Sequence, residues 1–355
     1  MKKMQTLNVA FQPAPVQYEL IIGENLLQEA LSYAKQIGFQ SIVITTKGVY
    51  DFLPSFREEK IVLSQGEGIK TRSVKEKIED GLIERGWGRE TCLIAIGGGA
   101  LIDLVGFVAA TYCRGIPYLT VPTTLLSMSD GVVGGKTAVN VEEAKNWIGA
   151  FHHPQRVYID LLLLKSLPPR EFAYGLSEAI KHSLVADSQF FNFLELHLDA
   201  ILQRDLSLVQ EMIFRSCSIK KTIVEQDPYE KQGLRRILSF GHTIGHALET
   251  LSDYTLGHGQ AIALGLMIET AISHRMGYLS HSVVERVEAL LKRLPSWQPF
   301  PPRLPYEMLK RDKKGAHRMV ILTGIGSVAP FDGDYVTYLT EDMFYAGWKD
   351  VVCAH

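Results

Sequence analysis

The chain is 355 residues long, with 46% hydrophobic and 21% charged residues and a formal net charge of −2 at pH 7. That length suits roughly two domains with well-buried cores, and the near-neutral balance excludes a chain built to hold nucleic acid or an anionic membrane as its main partner. No apolar run approaches the ~20 residues of a membrane span and Met1 to Thr6 lead into no signal-type core, so a cytoplasmic location is expected. Cys92, Cys113, Cys217 and Cys353 form no CxxC pair, which argues against a disulfide framework or a cysteine zinc site.

In chain order, Leu7 to Phe11 and Tyr18 to Ile22 flank Pro13 and Pro15 and read as an antiparallel pair at a sheet edge. Short β-branched runs then alternate with helical patterns: Ser41 to Thr45, Lys60 to Leu63, Cys92 to Ile96, Tyr118 to Val121 and Val157 to Ile159. Continuous apolar strands separated by helices predict a parallel sheet covered on both faces. Gly97-Gly98-Gly99 ends one strand and opens a helical run, a turn at which the main chain can approach a phosphate. The turn is not GxGxxG and is weak evidence alone. Pro122-Thr123-Thr124 adds hydroxyls on the same carboxyl edge, so a nucleotide site is expected there.

From Pro168 the period becomes helical, over Arg170 to Ala186, Leu206 to Glu225, Thr243 to Leu251, Ala261 to Met276 and Val283 to Leu294. Strand-like runs return only near Met319 to Leu322 and Ser327 to Ala329. The reading is an α/β N-terminal domain with a Rossmann-like parallel sheet, residues 1–164, and a mainly α-helical C-terminal domain, residues 165–355. The cleft between them is the expected reaction site.

Glu178, His242 and His258 all fall in the helical half. One carboxylate with two imidazoles leaves zinc an open position, as catalytic rather than structural sites do. His246 lies four residues from His242 and so on the same helix face. Cations collect nearby in sequence: Arg114, Lys136, Lys145, Lys181, Lys221, Arg235 and the Asp312-Lys313-Lys314 loop. Any one of them reads most simply as a solvated charge. Several sit beside glycine or inside apolar stretches, and together they imply a small polyanionic substrate.

These residues resemble the 3-dehydroquinate synthases of the sugar-phosphate cyclase family, almost end to end. The resemblance rests on Gly97-Gly98-Gly99 with Asp103, Gly106 to Tyr112, Arg114-Gly115, Val121 to Leu126, Asp130, and Gly134-Gly135-Lys136-Thr137-Ala138. It continues through Lys145-Asn146, Ile148 to Phe151, Glu178 with Ile180-Lys181, Gly241-His242-Thr243, His246-Ala247, His258-Gly259 and Asp312-Lys313-Lys314.

The resemblance implies an NAD-binding α/β domain and a helical domain holding zinc, with cobalt as an alternative metal, in a homodimer. Glu178, His242 and His258 match the family's metal ligands. Asp130, Lys136, Asn146, Lys181, Lys221, Arg235 and His246 match its substrate contacts, with Arg114 reaching a neighbouring subunit's site. Lys136, Asn146 and His246 are assigned to the phosphate end, Arg235 to a carboxylate, and Lys181, Lys221 and Asp130 to hydroxyls. Glu67, Lys70, Gly98, Gly99, Asp103, Thr123, Thr124 and Lys145 match NAD positions, and the choice between Lys313 and Lys314 stays open. The implied reaction converts 3-deoxy-D-arabino-heptulosonate 7-phosphate to 3-dehydroquinate and phosphate by transient oxidation, β-elimination, reduction and intramolecular aldol closure. A sibling cyclase, a metal-dependent polyol dehydrogenase and a non-catalytic NAD sensor are the competing readings. The chain departs from the family at Ile102 for a usual Gly, Ser239 for Asn, Lys231 for Glu, and Gly131-Val132 for Ser-Ser.

Overall fold

The computed structural model describes residues 16–352 apart from 39, 143, 254, 298–303 and 312–316. The α/β half runs β1 (Glu19–Gly23), α1 (Leu27–Ile37), β2 (Gln40–Thr46), α2 (Lys47–Tyr50), β3 (Glu59–Leu63), α3 (Arg72–Glu84), β4 (Thr91–Gly97), α4 (Gly99–Thr111) and β5 (Tyr118–Pro122). A hairpin of β6 (Lys136–Val141) and β7 (Ala144–Phe151) follows, then β8 (Arg156–Asp160). Six strands form one parallel sheet in the order β1-β8-β5-β4-β2-β3.

Strand alternation divides the apolar side chains between the two faces. Ile42, Ile44, Leu93 and Ala95 pack with α3 and α4, while Val43, Cys92, Ile94 and Ile96 pack with α1. The chain passes from β2 outward to β3, then returns to β4 on the other side of β2. Strand order therefore reverses between β2 and β4, and the Gly97-Gly98-Gly99 turn leaves β4 at the edge where open α/β sheets take ligands.

Every internal strand expected from the sequence is present. The expected strand Tyr18 to Ile22 forms the sheet edge as β1, but it pairs in parallel with β8; its proposed antiparallel partner Leu7 to Phe11 lies outside the described residues. The β6–β7 hairpin was not expected. It packs against α4, where Gly106 makes room for Thr137.

The helical half contains α5 (Pro169–Ala186), α6 (Ser188–Leu202), α7 (Leu206–Gln226), α8 (His242–Leu251), α9 (His258–Arg275), α10 (His281–Lys292) and α11 (Glu341–Val352). Asp187 and Asp205 cap α6 and α7 by accepting from backbone N–H groups two and three residues on, contacts worth roughly 1 kcal/mol each. Helix α9 is buried on all sides from Gly259 to Ser273 and is wrapped by α5, α8, α10 and α11.

Gly265 brings α9 against the start of α8. A Cβ there would stand 1.9 Å from the Gly241 carbonyl oxygen and 2.9 Å from the Gly245 nitrogen. Gly265→Ala should therefore destabilise the fold. Helix propensity favours alanine by about 1 kcal/mol, but the backbone clash costs more than the roughly 1–3 kcal/mol of ordinary overpacking. A lowered midpoint in thermal or urea unfolding is the expected result; an unchanged or raised midpoint would contradict this packing.

Candidate metal and cofactor site

Three helices each bring one potential ligand to a common point: Glu178 from the middle of α5, His242 from the first residue of α8 and His258 from the first residue of α9. Both histidine Nε2 atoms lie 3.3 Å from Glu178 Oε1. Zinc bonded to nitrogen and oxygen at about 2.0–2.1 Å in tetrahedral geometry separates its ligand atoms by roughly 3.3–3.4 Å. The observed spacing is the edge of such a tetrahedron.

The outer ring nitrogens are also arranged for a metal. His242 Nδ1 is 3.2 Å from the Phe240 carbonyl oxygen, and His258 Nδ1 is 3.4 Å from Glu249 Oε1. With a metal bound, an N–H donated outward by each Nδ1 would leave each Nε2 lone pair free to face the ion beside the Glu178 oxygen. His246, Glu249 and His258 form a second possible group, but Glu249 meets the far side of the His258 ring and so orients it.

Packing holds the three helix positions. Ser177 Oγ donates to the Gly259 carbonyl at 2.6 Å, tying α5 to the start of α9. Gly241 offers no side-chain cap to α8. The fully buried Glu269 of α9 replaces one, accepting from Gly241 N at 2.8 Å and Ile244 N at 3.3 Å.

Burial pushes the Glu178 carboxyl up, but Lys181 and the imidazoles outweigh it and hold the group well below the usual carboxylate range. Burial lowers His242. It would lower His258 too, but the Glu178 and Glu249 carboxylates carry that ring up to about 10.

Around this centre the predicted catalytic residues fall into separate groups. Lys181 pairs with Glu178 Oε2 and lies 3.9 Å from Asp130 Oδ1. Asp130, on the π-helical turn Ser127–Gly131, also meets Lys220 Nζ at 2.8 Å. Here the sequence reading is corrected by one position. Lys221 is exposed on the outer side of α7 and pairs with Glu225, whereas Lys220 is buried and also donates to the Asp130 carbonyl oxygen. On a helix, adjacent residues point about 100° apart, so only one of two consecutive lysines can face the cleft.

Lys136 and Arg235 form the next group, joined through Glu230. Gly134 permits the approach: its φ is +112°, and a Cβ there would lie 2.6 Å from Arg235 Nη2. The loop carrying Arg235 is shaped by Asp227, whose carboxylate accepts from the backbone nitrogens of Lys231, Gln232 and Arg235. Asn146, assigned with Lys136 to the phosphate end, stands toward the far end of the hairpin. There it binds Lys70, whose ammonium also pairs with Asp103.

That last group is the expected nucleotide side. Glu67 accepts from Asn140 Nδ2 at 2.7 Å, and Asn140 in turn accepts from the Asn146 backbone nitrogen, so the hairpin is bound to the sheet edge. Helix α4 begins after Gly98 with no side-chain cap, and a Cβ on Gly99 would meet open space. The donor-rich, side-chain-free helix start fits a pyrophosphate. Thr123 is buried, and the Thr124 hydroxyl is engaged with Ser127 at 2.8 Å. Lys145 stands 4.0 Å from Glu249, between the nucleotide side and the metal ligands.

His246 is partly exposed one turn from His242, its ring centroid 5.2 Å from that ring and 6.0 Å from His258. Arg114 is exposed beyond the far end of α4, and Asp312, Lys313 and Lys314 lie outside the described residues. Of the departures, Ile102 packs into the core beneath α4 without displacing the helix start. Ser239 is buried and donates to the Arg236 carbonyl at 2.6 Å.

Sequence reasoning missed Lys220, Glu249, Glu269 and Asp227. A lone acid in the apolar run of α9 was a legible signal for Glu269. The other three had none that did not depend on knowing which way each helix and loop faces.

Two family models cover most of the chain: 3-dehydroquinate synthase N-terminal over residues 60–174 and 3-dehydroquinate synthase C-terminal over residues 175–315. The 3-dehydroquinate synthase of Syntrophotalea carbinolica is 46% identical over 273 residues, spanning 75% of each chain. That of Pseudoalteromonas translucida is 39% identical over 336 residues, spanning 89% of this chain and 93% of its own. Among solved structures, 2-epi-5-epi-valiolone synthase from Streptomyces hygroscopicus, with NAD+ and Zn2+ bound, superposes with a TM-score of 0.85 at 26% identity, covering 98% of this chain and all of the other. With both halves matched in order and close relatives along most of its length, the chain belongs to the 3-dehydroquinate synthase family.

Proposed function

We propose that this chain converts 3-deoxy-D-arabino-heptulosonate 7-phosphate to 3-dehydroquinate and phosphate, using zinc held by Glu178, His242 and His258 and NAD held at the start of α4, as a cytoplasmic homodimer. The observation that carries this reading is the pair of Nε2 atoms converging at 3.3 Å on one carboxylate oxygen, each ring oriented from behind. When bound, zinc would supply a Lewis acid for substrate hydroxyls and NAD a transient hydride acceptor.

The chain's own residues hold and orient the substrate. Lys136 and Arg235 offer cationic seats for its charged ends. Partial burial and the Arg235 guanidinium bring Lys136 down to about 8, and an arriving anion would reverse that shift. Asp130, Lys181 and Lys220 line the route between those seats and the metal ligands, where they can orient hydroxyls. Fixing both ends of a flexible chain supplies much of the advantage in an intramolecular closure. Arg235 favours a substrate with a carboxylate. Arg114 lies three residues past the end of α4, which itself carries the chain roughly 12 Å from Asp103 to Thr111, and its place in the reading is the cleft of a second subunit. No described helix is long and apolar enough to cross a membrane.

Zinc- and NAD-loaded protein should release phosphate from the heptulosonate phosphate, with NAD in catalytic amount. Stoichiometric accumulation of NADH would point to a dehydrogenase, and absence of phosphate release would end the synthase reading.

Lys220→Ala should lower kcat/KM by about 10²-fold, the scale of a misplaced reacting group, while Lys221→Ala should stay within about twofold, as expected for an exposed pair. Equal effects would refute the placement of Lys220 in the cleft.

Zinc uptake at pH 7 should release about one proton. His258 has a raised pKa and is protonated in the metal-free chain, whereas lowered His242 is already neutral. By the same sign, the stability His258 gives the metal-free fold is complete below the ordinary histidine value and is lost as pH rises toward about 10. Calorimetry in buffers of different ionisation enthalpy measures the proton count, and a count of zero would contradict the His258 environment.

A further inference from the structure

Helix α5 carries a buried histidine, His182, one turn on from Glu178, and none of the roles above uses it. Its side chain is wholly enclosed. Nε2 lies 3.1 Å from Asp130 Oδ1, although neither of these buried atoms has a formed hydrogen bond, and Nδ1 lies 2.7 Å from Ser216 Oγ on α7. Ser216, also fully buried, stands 3.1 Å from the Ser129 carbonyl oxygen. The four residues make a chain from α7 through α5 to the turn that presents Asp130.

We propose that His182 is a positioning residue for Asp130: its Nε2–H holds Oδ1 in place, Ser216 fixes that tautomer from behind, and the second carboxylate oxygen is thereby aimed at the substrate. The inference rests on the synthase reading for its substrate, and on the geometry alone for its tautomer.

The tautomer follows from donor counting. An ionised carboxylate only accepts, so the nitrogen facing Asp130 carries the proton. Nδ1 must then accept, and Ser216 gives its single proton to this nearer partner rather than to the Ser129 carbonyl. Burial, which keeps the ring neutral, agrees with this arrangement.

Asp130 Oδ1 is sealed from solvent, yet the side chain keeps 24% of its surface exposed. The exposed part is therefore the side that carries Oδ2. The charged groups facing Asp130 are Lys181 and Glu178 from α5 and Lys220 from α7. Without His182, Lys220 alone would hold Oδ1, and Asp130 could turn toward Lys181, which lies 3.9 Å away and is already bound to Glu178. His182 thus keeps the two lysines assigned to different acids.

The test uses full-length, zinc- and NAD-loaded protein with three variants: His182→Leu, His182→Gln and Ser216→Ala. His182→Leu should lower kcat by about 10²-fold with KM changed less than about threefold and zinc content intact. The glutamine amide can replace the Nε2–H donor, so His182→Gln should recover most of that loss, and Ser216→Ala should show a smaller loss of the same kind. Nitrogen NMR of the wild-type ring should show a protonated Nε2 and an unprotonated Nδ1.

A protonated Nδ1 with bare Nε2 would overturn the inference whatever the activity. So would a folded His182→Leu protein with unchanged kcat, or a glutamine variant as impaired as the leucine one at equal melting temperature. If wild-type protein releases no phosphate, the synthase reading fails and the NMR result alone decides the tautomer.

Discussion

One oxygen atom organises this molecule. Glu178 Oε1 sits deep in the helical half with two imidazole nitrogens 3.3 Å away, and the reach of Glu and His side chains requires their three helices to meet closely. Helices usually pack 8–10 Å apart. At Gly265 the start of α8 comes nearer than any side chain would permit. The Ser177 bond to the Gly259 carbonyl and the Glu269 cap on α8 fix the angles at which the ligands project. Leaving a buried acceptor or donor there without its partner costs roughly 1–3 kcal/mol, so these polar contacts constrain the site more than they stabilise the fold.

The α/β half meets that centre along the carboxyl edge of its sheet. The β6–β7 hairpin is the physical link between the two sides. Its Gly134 end admits Arg235 from the helical half, and its turn end binds Lys70 and, through Asn140, Glu67 on the sheet side. The two halves are therefore joined along the hairpin by direct contacts, some part-buried and some exposed.

Much of the fold was legible because its signals are local. Five apolar strand runs and the long helical periods need only neighbouring residues to be read. The hairpin escaped because Lys136, Asn140 and Lys145 interrupt its apolar alternation, and its stability comes from α4 rather than from its own pattern. Helix α6 was also passed over, although Asp187 caps it and its apolar residues Phe190, Phe191, Leu194 and Leu198 are buried. In the site, Glu178, His242 and His258 were identifiable from residue type and family pattern. Lys220 was not separated from Lys221, since the sequence contains both and only the orientation of α7 chooses between them.

Each of these cleft cations already has an acid. Lys181 holds Glu178, Lys220 holds Asp130, Lys70 holds Asp103, and Lys136 and Arg235 share Glu230. Such pairing keeps buried charges from the several kcal/mol penalty of standing alone. A ligand with only one charged end would have to break some of these pairs without replacing them all. A molecule bearing anionic groups at both ends, arriving where a divalent cation relieves Glu178 of its partner, can exchange every broken contact for a new one. Selection for a small polyanion then comes from the cost of disturbing the internal pairs, and it operates before any chemistry begins.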